Sequence, residues 1–221
     1  MQVKAMETEK IATAHVLAKL HQQGEHDTAK RLANAVGNTD PTLWQDEWIA
    51  VKKRDGWYTY THQLKCNGQG VAVMGYRQGP AGLELVGRYE NCPPHDDGIT
   101  LCSLTGMVEG EDNVLQTAKR ELWEEAGIDA PEGDFQYVGA ARPSKASDTA
   151  IHLFLINVAG RDIGKATGDG TKGEEGAYCR WISFQDAVMS KDPILATLAA
   201  RVQLGLGNGQ EPPQAALPGA T

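Results

Sequence analysis

The sequence is short of cysteine. Four occur in 221 residues, at Cys66, Cys92, Cys102 and Cys179, with no Cys-x-x-Cys spacing among them. Such scatter argues against a disulfide framework or a zinc-ligand run, and for reduced thiols. Long apolar runs are also missing. The longest candidate, IHLFLINVA (151–159), has strand length rather than the ~18–20 residues of a transmembrane helix, so no membrane partner is expected. The opening MQVKAMETEK carries no apolar core of a secretory signal. Basic charge is in deficit, with 21 Lys and Arg against 29 Asp and Glu, a formal net charge of −8. A nucleic-acid partner would call for a basic stripe, so none is expected. A small polyanion is not excluded, because a metal cation can bring it to an acidic site. Together these absences predict a cytoplasmic protein.

What is present is an ordinary globular composition, 41% hydrophobic and 23% charged, with 25 glycines to supply turns. Residues 7–36 show helical spacing of Ile11, Val16, Leu17 and Leu20, a break at HQQGEHD, and a resumed pattern in TAKRLANAV. This predicts an N-terminal helical hairpin over 1–36. From residue 44 the period changes. Arg54-Asp55-Gly56 between two β-type runs is a hairpin signal. Strands are expected at 69–77, 83–89, 99–104, 135–141, 151–159 and in AYCRWIS, with helices at 113–126 and near the end. Strands with interspersed helices and antiparallel hairpins predict an α/β/α sandwich with a mixed sheet. The main domain is expected over 44–205, and 206–221 as a flexible tail.

One short stretch carries the chemistry. In RELWEEAGI, Glu121, Glu124 and Glu125 stand at i, i+3 and i+4, so a helix places them on one face. Leu115, Ala118 and Leu122 form a second, apolar face. Three carboxylates on one face repel by a few tenths of a kcal/mol per pair, roughly, in water. They read either as solvated surface or as hard oxygen ligands for Mg²⁺ or Mn²⁺.

The wider spacing bears on that choice. Gly106, five residues, Asp112, seven residues, then Arg120-Glu121-Leu122-x-Glu124-Glu125-x-Gly127-Ile128 resembles the Nudix box, G-x5-E-x7-R-E-U-x-E-E-x-G-U with U a bulky aliphatic. One position departs: Asp112 stands for the first glutamate, with Glu111 beside it. The resemblance implies a hydrolase of a nucleoside diphosphate linked to another moiety. It implies Glu121, Glu124 and Glu125 as metal ligands, Thr105 as a further carbonyl ligand, Arg120 as the partner that orients a glutamate, and Gly106 as a tight backbone turn beside the metal. Asp112 is either the helix N-cap or a shorter substitute for the family glutamate.

Outside the box, residues 46–190 are loosely similar to the ADP-ribose pyrophosphatase group. On that similarity the substrate is ADP-ribose, split to AMP and ribose 5-phosphate. GEEGAYCRWIS resembles an acidic loop that carries a catalytic base, and Glu175 fits, with Glu174 its neighbour. A Gly-rich loop over 160–176 would be mobile enough to bring it to the metals. Arg88 takes the place of a phosphate-binding arginine, since Glu90 stands where that arginine is expected. Trp57, with Trp44 and Trp48 nearby in sequence, is the candidate for stacking on a base, in a homodimer. Trp123 and His95 read as packing and loop residues. NADH, a nucleotide sugar, a capped RNA end and a non-catalytic nucleotide sensor stand as alternatives.

Overall fold

The computed structural model describes residues 40–95, 98–109, 112–167 and 176–207. The expected helical hairpin over 1–36, the tail beyond 207 and Glu174 and Glu175 lie outside them. Of the described residues, 40–44 and 51–59 fall in one compact unit, and 45–50 and 60–207 in another.

Three strands, β1 (Thr42–Gln45), β2 (Ile49–Arg54) and β3 (Tyr58–Gln63), pair in the order β1-β2-β3. The predicted Asp-Gly hairpin joins β2 to β3. Asp55 (φ 52°) and Gly56 (φ 75°) are both left-handed, and the Trp57 amide donates to the Arg54 carbonyl at 3.2 Å. Two left-handed central residues give the turn whose twist matches that of the strands.

The larger unit is built on a seven-stranded sheet. Its strands are β4 (Gln69–Gly79), β5 (Gly82–Asn91), β6 (Ile99–Cys102), β7 (Leu104–Met107), β8 (Phe135–Ala141), β9 (Ala150–Asn157) and β10 (Tyr178–Ser183). The main path runs β10-β5-β4-β9-β8, with β6 on β5 and β7 on β4. The β4–β9 pairing is parallel and the others are antiparallel, so the sheet is mixed, as the sequence predicts.

Side-chain alternation along β4 shows why there are two cores. Val71 and Val73 point to one face, where Val86, Phe154 and Ile156 meet Ala118, Leu122 and Ala126 of helix α1 (Val114–Ala126). Ala72 and Met74 point to the other, where Leu85, Leu153 and Leu155 meet Ala187 of α2 (Phe184–Val188) and Leu195, Leu198 and Val202 of α3 (Pro193–Gly207). A central strand buried on both faces reads as a continuous apolar run, here VAVM. The layers are helix, mixed sheet, helices, which is the predicted sandwich.

One expected strand is two. The run 99–104 breaks at Ser103, where the chain leaves β5 and takes up pairing with β4. Ser103 is buried, and both its amide and its hydroxyl donate to Asp192 Oδ2 at 2.7 Å. The carboxylate satisfies the donor that the change of partner frees. Nothing in the local alternation signals this, because Asp192 is 89 residues away.

Candidate active site

The structure decides between the two readings of Asp112 as far as the cap is concerned. Asn113, not Asp112, is the N-cap. Its Oδ1 accepts from the amides of Leu115 and Gln116 at 3.0 Å, and the Gln116 side chain accepts from the Asn113 amide. This reciprocal box satisfies the first turn's orphan donors. At the other end Gly127 is left-handed (φ 63°) and Ile128 is buried, as the spacing predicts. The last carbonyls are taken by the segment after β9. The Gly164 amide donates to Ala126 and the Thr167 amide to Glu124, each at 2.9 Å. A Cβ on Gly127 would stand 2.7 Å from the Gly164 backbone, so the contact requires glycine. Two residues of the loop expected over 160–176, Gly164 and Thr167, are thus hydrogen-bonded to the end of α1.

The three glutamates are not equivalent. Glu121 and Glu125 are buried, 7% and 4% exposed, and Glu124 is half-buried. The helix therefore sinks two of its carboxylates beside the apolar face rather than presenting all three to water. Each has a defined cationic neighbour. Arg88, from β5, places Nη1 2.9 Å from Glu125 Oε1, while its Nε meets Glu90 Oε2 at 2.6 Å. Arg120 places Nη2 2.8 Å from Glu121 Oε1 and Nη1 2.8 Å from Glu124 Oε2. Burial acts to lower the Arg120 guanidinium, but the carboxylates of Glu121 and Glu124 outweigh it and hold it above its ordinary range.

Two residues singled out in the sequence take their places here. Arg88 is 3% exposed with its guanidinium engaged by two carboxylates. It compensates the buried charge of Glu125, whose desolvation would otherwise be severe. Gly106 is not in a turn. It lies in β7, opposite Val71 of β4, and an added Cβ would stand 2.0 Å from Glu121 Oε1. Glycine is needed there because the Glu121 carboxylate lies against the strand backbone.

A cleft of about 520 Å³ opens between α1 and the sheet. Glu121, Glu125, Glu109, Asp112, Arg120 and Thr105 are among the residues lining it. The structure thus brings together Gly106, Thr105, Arg120, Glu121 and Glu125, with Asp112 at the rim. Glu124 is not part of the lining; it sits on the helix edge in the Arg120 pair. Glu109 was not singled out by sequence spacing, and enters only because β7 runs directly into it. Trp57 lies in the smaller unit, 73% exposed and edge-on to Tyr58. The donor set suits a hard divalent cation: buried carboxylates, further carboxylates at the rim, and a glycine that leaves the space an oxygen ligand occupies.

A NUDIX domain model matches residues 68–202. The chain belongs to the NUDIX family. The match spans all of the seven-stranded sheet, α1 and α2, and most of α3. No curated protein matches. Among solved structures, one similar to this chain is a protein from Listeria monocytogenes assigned as a NUDIX hydrolase. It is 18% identical, with a TM-score of 0.46, over 63% of this chain and 94% of that one. The assignment to the family rests on the domain match and not on this likeness. Among the described residues no helix is long and apolar enough to cross a membrane.

Proposed function

We propose that this NUDIX protein is a divalent-cation-dependent pyrophosphohydrolase of nucleoside diphosphates linked to a second moiety, with ADP-ribose, split to AMP and ribose 5-phosphate, as the substrate to test first. The observation that carries the reading is the pair of buried carboxylates, Glu121 and Glu125, lining one cleft with Arg120 and the Gly106 backbone. Burying two carboxylates is costly, and a chain that needed only a solvated helix would not keep them.

Glu121 and Glu125, with Glu124 at the edge and the Thr105 carbonyl, would hold Mg²⁺ or Mn²⁺. Such an ion neutralises pyrophosphate charge, polarises a phosphoryl oxygen and lowers the pKa of water. The residues of the chain do the rest. Arg88 supplies the buried positive charge beside Glu125 and holds its carboxylate in place from beneath. Arg120 fixes the two carboxylates it bridges, so their oxygens are set before substrate arrives. Preset ligands lower the reorganisation that a highly charged transition state demands. Glu175 is the assignment for the base that takes a proton from the attacking water, and Glu174 is its control.

The test is product analysis of ADP-ribose, NADH, an ADP-sugar and a GDP-sugar with Mg²⁺ or Mn²⁺, beside Glu125→Gln. The reading predicts metal-dependent AMP and ribose 5-phosphate from ADP-ribose, lost in the variant. Release from another of the four alone would keep the reaction and change the substrate. No turnover of any, with the ion still bound, would favour a nucleotide sensor instead.

A further inference from the structure

The second cluster of ligand-capable side chains stands on the β5–β6 pair. Sequence spacing gives no hint of it, because Cys92 and Cys102 are ten residues apart with no motif between them. The topology brings them together. β5 supplies Glu90 and leads directly into Cys92, and β6 ends at Cys102, with Glu90 opposite Thr100 and Arg88 opposite Cys102. The two sulfurs are 3.6 Å apart and the Cys92 sulfur is 3.9 Å from Glu90 Oε1. Among the described residues this is the set of three metal-capable side chains whose ligand atoms all lie within 4.8 Å of one another, and each is half-buried.

We propose that Cys92, Cys102 and Glu90 form a binding site for a thiophilic divalent cation of the zinc class, separate from the carboxylate cleft. The sulfur spacing is the first support. A tetrahedral ion holding two thiolates at about 2.3 Å keeps their sulfurs roughly 3.8 Å apart, close to what is seen, whereas a disulfide needs them at about 2.05 Å. The second is the carboxylate. Oε2 of Glu90 is held by Arg88 at 2.6 Å, which leaves Oε1 aimed at the thiols. The third is the donor type. Two sulfurs and one oxygen select a soft or borderline ion over Mg²⁺, so the two sites would not compete for one metal. Burial, the Cys92 thiol and the Glu90 carboxylate push the Cys102 thiol well above its ordinary range, which makes Cys102 a poor nucleophile for disulfide exchange. Binding would release both thiol protons and fill three positions, with water in the fourth. Glu90 would then tie this site to Arg88, and through Arg88 to Glu125.

The test is Co²⁺ titration of the reduced full-length protein, read by thiolate-to-cobalt charge-transfer absorption, which carboxylates do not give. One Co²⁺ per chain with this band is expected, lost in Cys92→Ser and Cys102→Ser and kept in Cys66→Ser and Cys179→Ser. A second measurement needs no variant. Zn²⁺, but not Mg²⁺, should slow alkylation of Cys92 and Cys102 at least tenfold, mapped by mass spectrometry, and leave the Cys66 rate unchanged. Absence of the band at excess Co²⁺, a band that survives in folded Cys92→Ser, or alkylation indifferent to Zn²⁺ would each overturn the proposal.

Discussion

The inner and outer edges of α1 carry the same residue type and differ in almost everything else. Glu125 and Glu121 are sunk against the sheet, one compensated by a buried arginine from β5 and the other set against the bare backbone at Gly106. Glu124, one turn on from Arg120, sits in a half-exposed i,i+4 pair. The three glutamates thus divide by partner: Glu125 is held by an arginine from the sheet, Glu124 by Arg120 of its own helix, and Glu121 by Arg120 with the strand backbone at Gly106 against it. The difference teaches that a ligand's worth here is set by what lies beneath it. A buried carboxylate is stable only while its partner is present, whereas a surface pair contributes little either way.

Removing the inner partner should break this contrast most severely. Arg88→Ala removes the buried cation that stands 2.9 Å from Glu125, and stability should fall by about 3–5 kcal/mol, measured by urea unfolding. Arg88→Ala with Glu125→Gln should recover part of that loss, because no buried charge is then stranded. The catalytic comparison comes next. Glu121→Gln or Glu125→Gln should lower kcat by roughly 100-fold or more, since an ion supplies several kcal/mol of charge stabilisation. Glu124→Gln should cost clearly less in the same assay.

Gly106→Ala sharpens the comparison from the strand side. The new methyl would overlap the Glu121 carboxylate, so overpacking should cost about 1–3 kcal/mol and activity should fall as it does for Glu121→Gln. Unfolding curves and kinetics on the same preparation check both. The smallest expected effect is at the cap. Asn113→Ala removes two side-chain hydrogen bonds to the first turn and should cost about 1 kcal/mol by thermal unfolding, with KM nearly unchanged.

The parts of this picture that were legible in the sequence are local ones. The α1 box, its Gly127 cap, the Asp55-Gly56 turn and the strand over 69–77 all follow from residue type and spacing within a few positions. What stayed hidden depends on residues far apart in the chain. Ser103 breaks a strand because Asp192 is there to receive its donors. The pairing of Arg88 with Glu125 comes to light only once β5 is seen beside α1. Gly106 reads as a turn until the Glu121 carboxylate is seen against it. Cys92 and Cys102 read as scattered thiols until β6 folds back on β5. In each case the deciding partner comes from another element of the fold, which spacing along one element does not encode.

On the proposed function, the inner edge of α1, Glu121 and Glu125, contributes more to holding the divalent cation than Glu124 at the outer edge. The most direct test is Mn²⁺ binding followed by electron paramagnetic resonance on the full chain, comparing wild type with Glu125→Gln and Glu124→Gln. The account predicts that Glu125→Gln weakens Mn²⁺ binding at least tenfold and that Glu124→Gln weakens it less. Equal Mn²⁺ affinity in wild type and folded Glu125→Gln, or a larger loss in Glu124→Gln, would contradict it.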